Sequence, residues 1–320
     1  MKSFVFIQSE AGTINKNSLE ALCGLQKLSS RPSITAVTFD EQSIETLSGY
    51  NIDRVLHLKN PLLQNYNPLA YVEAIQKIIQ TEQPNLFAFG HTYEARDWVP
   101  RLSARLDIPF ISDCTKIRFE NNTIFTRQIY QGKVACDLTS SSETTILSIQ
   151  SGSYRSDEII NGSSAAVENQ EVDLIDDKRI SQEDKFQESK GTVDLANSEL
   201  IVSIGRGIEK EENIPLAEEL AQAIGADIGS SRPVVDYGWI PHDRQIGSSG
   251  HIVSPKLYLA VGISGAVQHQ VGMKGSEAII AINKDKNAPI FEIADIGIVG
   301  DLFEIIPKLT TAIKEHKQKT

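Results

Sequence analysis

The residues best suited to hold a ligand form the run Gly262-Ile263-Ser264-Gly265-Ala266-Val267-Gln268-His269. A strand-like segment, KLYLAVGIS (256–264), leads into it and a helical pattern leads out. Glycines at such a turn let backbone approach a bound group, and the free N–H groups of a helix start attract anions. Bond cleavage is a poorer reading. Gly265 follows Ser264 directly, so the G-x-S-x-G nucleophile elbow is absent. Gly205-Arg206-Gly207 continues Ile-Glu-Lys and does not complete a dinucleotide G-x-G-x-x-G. Cys23, Cys114 and Cys136 lie far apart with no CxxC pair, which argues for inert thiols over a disulfide framework or zinc. His57, His91, His242, His251 and His316 show no convergent metal or triad spacing, and His91 reads as a cap or loop residue.

The elements that must position this run alternate strand and helix, which implies parallel sheets with helices on their faces. In the first half, FVFIQ (4–8), ITAVTF (34–39), RVLHL (54–58) and NLFAFG (85–90) read as strands, with helices over 67–80 and about 93–106. From 111 to 153 the character shifts to short antiparallel segments at a sheet edge. Residues 168–190 are acidic and solvated, with one strand candidate, EVDLID (171–176), and a domain boundary follows near Gly191. The α/β pattern then restarts: SELIVSIG (198–205), a helix from about Asn213 stopped by Gly225, and three further strands, KLYLAVGIS, AIIAIN (278–283) and PIFEIA (289–294). A last helix opens on Asp301-Leu302-Phe303-Glu304. The expected fold is two Rossmann-like α/β domains, 1–190 and 191–320, with ligands held at strand C-termini.

Composition narrows the function classes. The chain has 320 residues, 40% hydrophobic and 23% charged, with a formal net charge of −11. Such a field argues against nucleic acid and anionic membranes as partners. No apolar run approaches the roughly 20 residues of a membrane helix, so membrane insertion is not expected. MKSFVFIQ reads as a strand and not as a targeting segment, which leads to an expected cytoplasmic location.

The run 255–285, PKLYLAVGISGAVQHQVGMKGSEAIIAINKD, resembles electron-transfer flavoprotein alpha subunits almost throughout, as does APIFEIADIGIVGDLF (288–303). GRGI (205–208), SRPVVDYGWIP (231–241), DRQIGSSGHIV (243–253) and GHTYEARDWVPRLSARLDIPFISD (90–113) extend the resemblance over essentially the whole chain. It implies FAD in the C-terminal domain. Arg232 of Ser231-Arg232 would lie over the flavin ring and favour its anionic, reduced state. One charge pair at about 4 Å and effective dielectric 20 is worth about 4 kcal/mol, roughly 170 mV for one electron, as an upper bound. The bland alternative for Arg232 is a surface ion pair. In Gln245-Ile246-Gly247-Ser248-Ser249-Gly250, the resemblance places the Ser249 hydroxyl at flavin N5, while Ser248 stands where the family has glutamine. His269 would sit near the flavin O2/N1 edge; its alternative is a core histidine satisfied by a carbonyl. Gln268 and the backbone of Ser264, Gly265, Ala266 and Val267 would serve the pyrophosphate and ribityl chain. Asn283 and Asp301 would serve the ribose and adenine end, although Asp301 is equally a helix cap. Arg206, Gly262 and Leu302 complete the implied cofactor-binding set.

The resemblance implies an electron carrier and not an enzyme with a substrate pocket. It would work as a heterodimer with a smaller beta subunit, the first domain forming much of that interface. Electrons would come from acyl-CoA or related dehydrogenases, as in fatty acid beta-oxidation, and pass to a quinone oxidoreductase or another acceptor. The alternative is a bifurcating, NADH-oxidising flavoprotein with a second FAD on the partner.

Overall fold

Alternation along the first strand, Lys2–Ile7, sends Phe4 and Phe6 to one face of a sheet and Val5 and Ile7 to the other, so both faces must be covered. The computed structural model describes residues 1–130, 132–162, 164–180, 195 and 198–319. These fall in two units, Met1–Phe186 and Gln187–Thr320; the sequence-derived boundary at 190/191 lies outside the described residues.

In the first unit, Lys2–Ile7, Ser33–Thr38, Arg54–Lys59, Leu86–Gly90 and Thr145–Ile149 pair parallel within a nine-stranded sheet. Helices Pro68–Glu82 and Tyr93–Leu106 cover the Phe4/Phe6 face, and helix Lys16–Gln26 covers the other. Phe110–Phe119, Thr123–Ile129 and Val134–Leu138 form the antiparallel edge, whereas Thr145–Ile149, expected to belong to it, lies inside the sheet and runs parallel to both Leu86–Gly90 and Phe110–Phe119. The expected strand at 171–176 is not formed. The strand is Ala166–Glu171, paired in register from Ala166↔Arg54 to Glu171↔Lys59. Its partner strand ends at Lys59, the pairing stops there, and Val172 turns into the core.

In the second unit, Asp227–Ser230, Leu200–Ile204, Leu257–Val261, Ile279–Asn283 and Ile296–Val299 lie side by side in that order, all parallel. Helix Ile214–Ile224 ends where Gly225 takes φ +79°, a left-handed cap. Helix Leu302–Lys319 closes the unit. The segment PIFEIA is not a strand: Pro289–Glu292 is a short 3-10 turn, and the edge strand falls later. Pro289 has no N–H for a ladder, and the Ile290 amide is already bonded to the Ser264 carbonyl at 3.0 Å. The chain leaves Leu200–Ile204 to one side and returns to the other. That reversal opens a crevice above the C-terminal ends of Leu200–Ile204 and Leu257–Val261, the place where open parallel sheets bind ligands.

Candidate functional site

At this crevice two turns touch backbone to backbone. The Gly205 amide donates to the Val261 carbonyl at 2.8 Å and the Gly207 amide to the Gly262 carbonyl at 2.9 Å. A Cβ on Gly205 would stand 2.2 Å from the Gly262 carbonyl oxygen, a separation no side chain can occupy. The chain then turns at Gly265, φ +82°, against the backbone of Ile290. Among the described residues, the backbone amides of 264–268 have no protein acceptor, and Ala266 begins its helix without a side-chain cap. Ser264, Ala266 and Gln268 are exposed. Consecutive free amides around a turn attract anionic oxygens. The arrangement therefore fits the pyrophosphate of a dinucleotide cofactor.

Beside it runs the loop 245–250. The Ile246 amide donates to the Ser230 carbonyl at 2.9 Å, Gly247 to His251 at 3.1 Å, and Ser248 to Gln268 at 2.8 Å. Buried Gln245 donates its side-chain amide to the Ser249 carbonyl at 3.1 Å and to its hydroxyl oxygen at 3.0 Å. Because Ser249 Oγ accepts there, its O–H remains free to donate outward, as a contact with flavin N5 requires. The side chains of Ser248 and Ser249 are both exposed.

His269 is buried, 6% exposed. Its Nδ1 lies 3.1 Å from the Ile246 carbonyl and its Nε2 2.8 Å from the Tyr258 hydroxyl. A carbonyl only accepts, so Nδ1 carries the proton and Nε2 accepts from Tyr258. Burial lowers the ring's pKa to about 4, and it stays neutral at neutral pH. This is the arrangement of a core histidine satisfied by a carbonyl. Asn283 is engaged similarly, donating to the Ile263 carbonyl at 2.8 Å and accepting from the Asp285 amide at 2.9 Å. Asp301 accepts from the Phe303 amide at 2.9 Å, the helix-cap role. Leu302 packs against Gly262. Arg232 is exposed and pairs with Asp236 of its own turn at 3.3 Å, the surface ion pair. Ser231 is buried, its amide bonded to the Ile204 carbonyl at 2.9 Å, and Arg206 is exposed.

The structure thus brings the whole predicted set to one edge of one sheet, in two roles. Arg206, Arg232, Ser248, Ser249, Gln268 and Asp301 present side chains outward. Gln245, Ile246, His269, Asn283 and Leu302 hold the loops from within. Sequence reasoning missed two braces. Gln270 donates to the Gly265 carbonyl at 2.9 Å, and Tyr258 bonds His269. A signal for Tyr258 existed: a hydroxyl inside the buried run LYLAV needs a partner. Elsewhere, His91 Nδ1 lies 2.8 Å from the Ser148 hydroxyl and Thr92 caps the helix. Among the described residues no group of His, Cys, Asp and Glu could hold a metal, and no helix is long and apolar enough to cross a membrane.

Comparison with known proteins places these features in a family. Residues 194–274 match the electron transfer flavoprotein FAD-binding domain and residues 3–175 the electron transfer flavoprotein domain. The electron transfer flavoprotein subunit alpha of Bacillus subtilis is 36% identical over 98% of this chain and 98% of its own length. The acryloyl-CoA reductase electron transfer subunit beta of Anaerotignum propionicum is 37% identical over 87% of this chain and 84% of its own. A probable mitochondrial electron transfer flavoprotein subunit alpha from Caenorhabditis elegans is 36% identical over 92% and 89%. The chain belongs to the electron transfer flavoprotein alpha-subunit family, carriers of electrons on FAD and not enzymes.

Proposed function

We propose that this chain pairs with a smaller beta subunit in the cytoplasm. There it carries electrons between dehydrogenases of acyl-CoA type and a quinone oxidoreductase or other acceptor. The free amides of 264–268 at the sheet's crevice carry the reading. They would take the FAD pyrophosphate, Ser249 would donate to flavin N5, and Arg232 and Arg206 would stand at the flavin and phosphate rims. FAD, when bound, supplies the redox chemistry. The protein's part is to hold it, to set its potential by nearby charge and donors, and to leave it reachable. The first unit, with its antiparallel edge, would face the beta subunit. The relative named for acryloyl-CoA reductase favours enzymes of CoA esters as electron-exchange partners, on the accepting side in that reductase.

Co-expression with the beta subunit tests this. A yellow heterodimer with one FAD and no NADH-dependent reduction is expected; a folded, colourless dimer overturns the reading. Two FAD per dimer with NADH-driven reduction would instead establish the bifurcating alternative. In the same preparation Arg232→Ala should retain FAD and lower its midpoint potential. The drop should be tens of millivolts, well below the 170 mV or so of a desolvated pair, because the guanidinium is exposed and shared with Asp236. An unchanged potential would exclude Arg232 from the flavin.

A further inference from the structure

We propose that Tyr258 is a positioning residue of the flavin site, acting through His269 on the loop 245–250 and not on the cofactor. The proposal rests on the FAD reading above. Tyr258 is wholly buried on the strand Leu257–Val261, and its hydroxyl has His269 Nε2 at 2.8 Å. His269 in turn gives its Nδ1 proton to the Ile246 carbonyl at 3.1 Å. This makes a directed chain of donors, Tyr258 O–H to His269 and His269 N–H to Ile246, that ends inside the loop. The other tautomer would turn a bare Nδ1 lone pair on the Ile246 carbonyl, so a neutral ring has one workable state.

That chain supports the loop from beneath while Gln245 ties it laterally to Ser249. The neighbouring bonds from Gly247 to His251 and from Ser248 to Gln268 complete the frame. Gln268 precedes His269 directly, so the same turn fixes both the free amides of 264–268 and the loop bearing Ser249. With both nitrogens occupied, His269 has no N–H left to offer a flavin oxygen. Its contribution is the placement of the Ile246 peptide, and hence of the Ser249 hydroxyl. Tyr258 makes that contribution possible by occupying a lone pair that would otherwise be buried unpaired.

Tyr258→Phe in the heterodimer removes one oxygen and keeps the ring. Amide exchange over 245–250 should quicken about tenfold, as loss of one buried hydrogen bond predicts, while the strand peptide 257–261 stays protected. The FAD dissociation constant should rise by about the same factor. In a His269→Asn background Tyr258→Phe should add little to either readout, because the two act in series. In the wild-type protein, nitrogen-15 spectra of the histidines should show His269 with a protonated Nδ1 and a bare Nε2 that does not titrate from about pH 5 to 9. Unchanged exchange in Tyr258→Phe, additive effects in the double variant, or an Nε2-protonated ring would each overturn the proposal. Exchange reads the loop without flavin. A colourless wild-type dimer would therefore refute the FAD assignment, while the exchange result alone would still decide whether Tyr258 braces the loop.

Discussion

Gly205→Ala should yield a heterodimer that no longer retains FAD and whose second unit unfolds about 10 °C earlier. The added Cβ would stand 2.2 Å from the Gly262 carbonyl oxygen and 2.6 Å from the Gly262 carbon, and neither can move without its strand. Overpacking a well-filled site costs about 1–3 kcal/mol and more where the obstacle is backbone. Here it also parts two hydrogen bonds, Gly205 to Val261 and Gly207 to Gly262. A total of about 3 kcal/mol is a large share of a domain's stability and shifts a midpoint by roughly this amount. The loss of flavin follows from position: the displaced Gly262 begins the turn that presents the amides of 264–268. Gly225→Ala is the control. It meets nothing within 4 Å, and only its left-handed φ of +79° is strained, so it should cost about 1 kcal/mol and leave FAD bound. Visible absorbance gives flavin content and thermal unfolding gives the midpoint. Full flavin occupancy in Gly205→Ala, with a midpoint within about 2 °C of wild type, would mean that the turns are not rigidly joined.

That contact was only half legible in the sequence. Gly205-Arg206-Gly207 and Gly262 each read as turns at strand ends, but one chain cannot show that the two turns meet. The parallel strands and the crevice followed from periodicity, because buried runs such as LIVSI and LYLAV mark central strands. Two strand readings failed for reasons outside local pattern. Pairing past Glu171 ends because its neighbour ends, and Pro289–Glu292 is drawn into a turn by the Ile290 bond to Ser264. Residue roles were harder. His269, Asn283 and Arg232 all lie at the C-terminal edge of the second sheet, yet their visible bonds are to the protein itself, which only coordinates reveal. The helix Lys16–Gln26 escaped the sequence reading for a related reason. It buries Ser18 and Glu20 where an apolar face would be expected.

Glu20 makes the first unit's stability depend on pH in a direction opposite to ordinary surface carboxylates. It is 1% exposed; Oε2 accepts the Gly152 amide at 2.7 Å, and Oε1 is buried without a hydrogen bond. Burial raises its pKa from 4.5 to about 7, with the Gly152 amide and Lys16 pulling only part of the way back. Between those two values the folded chain holds a proton that the unfolded chain has released, so stability falls as pH rises. The contribution is fully present below about pH 4.5 and gone above about 7. It amounts to about 3 kcal/mol for a shift of roughly 2.5 units. Glu20→Gln keeps an acceptor for the Gly152 amide and cannot ionise. The difference in unfolding free energy between variant and wild type should therefore grow by about 3 kcal/mol between pH 4.5 and 7.5, whatever other carboxylates do to both curves. The unpartnered amide left at the Oε1 position costs about 1 kcal/mol or more at every pH, so the variant should be the weaker protein in acid and the stronger at pH 8. Denaturant unfolding across this range, followed in the first unit through buried Trp98, reads the difference directly. A difference that stays constant with pH would show that Glu20 remains ionised in its buried site.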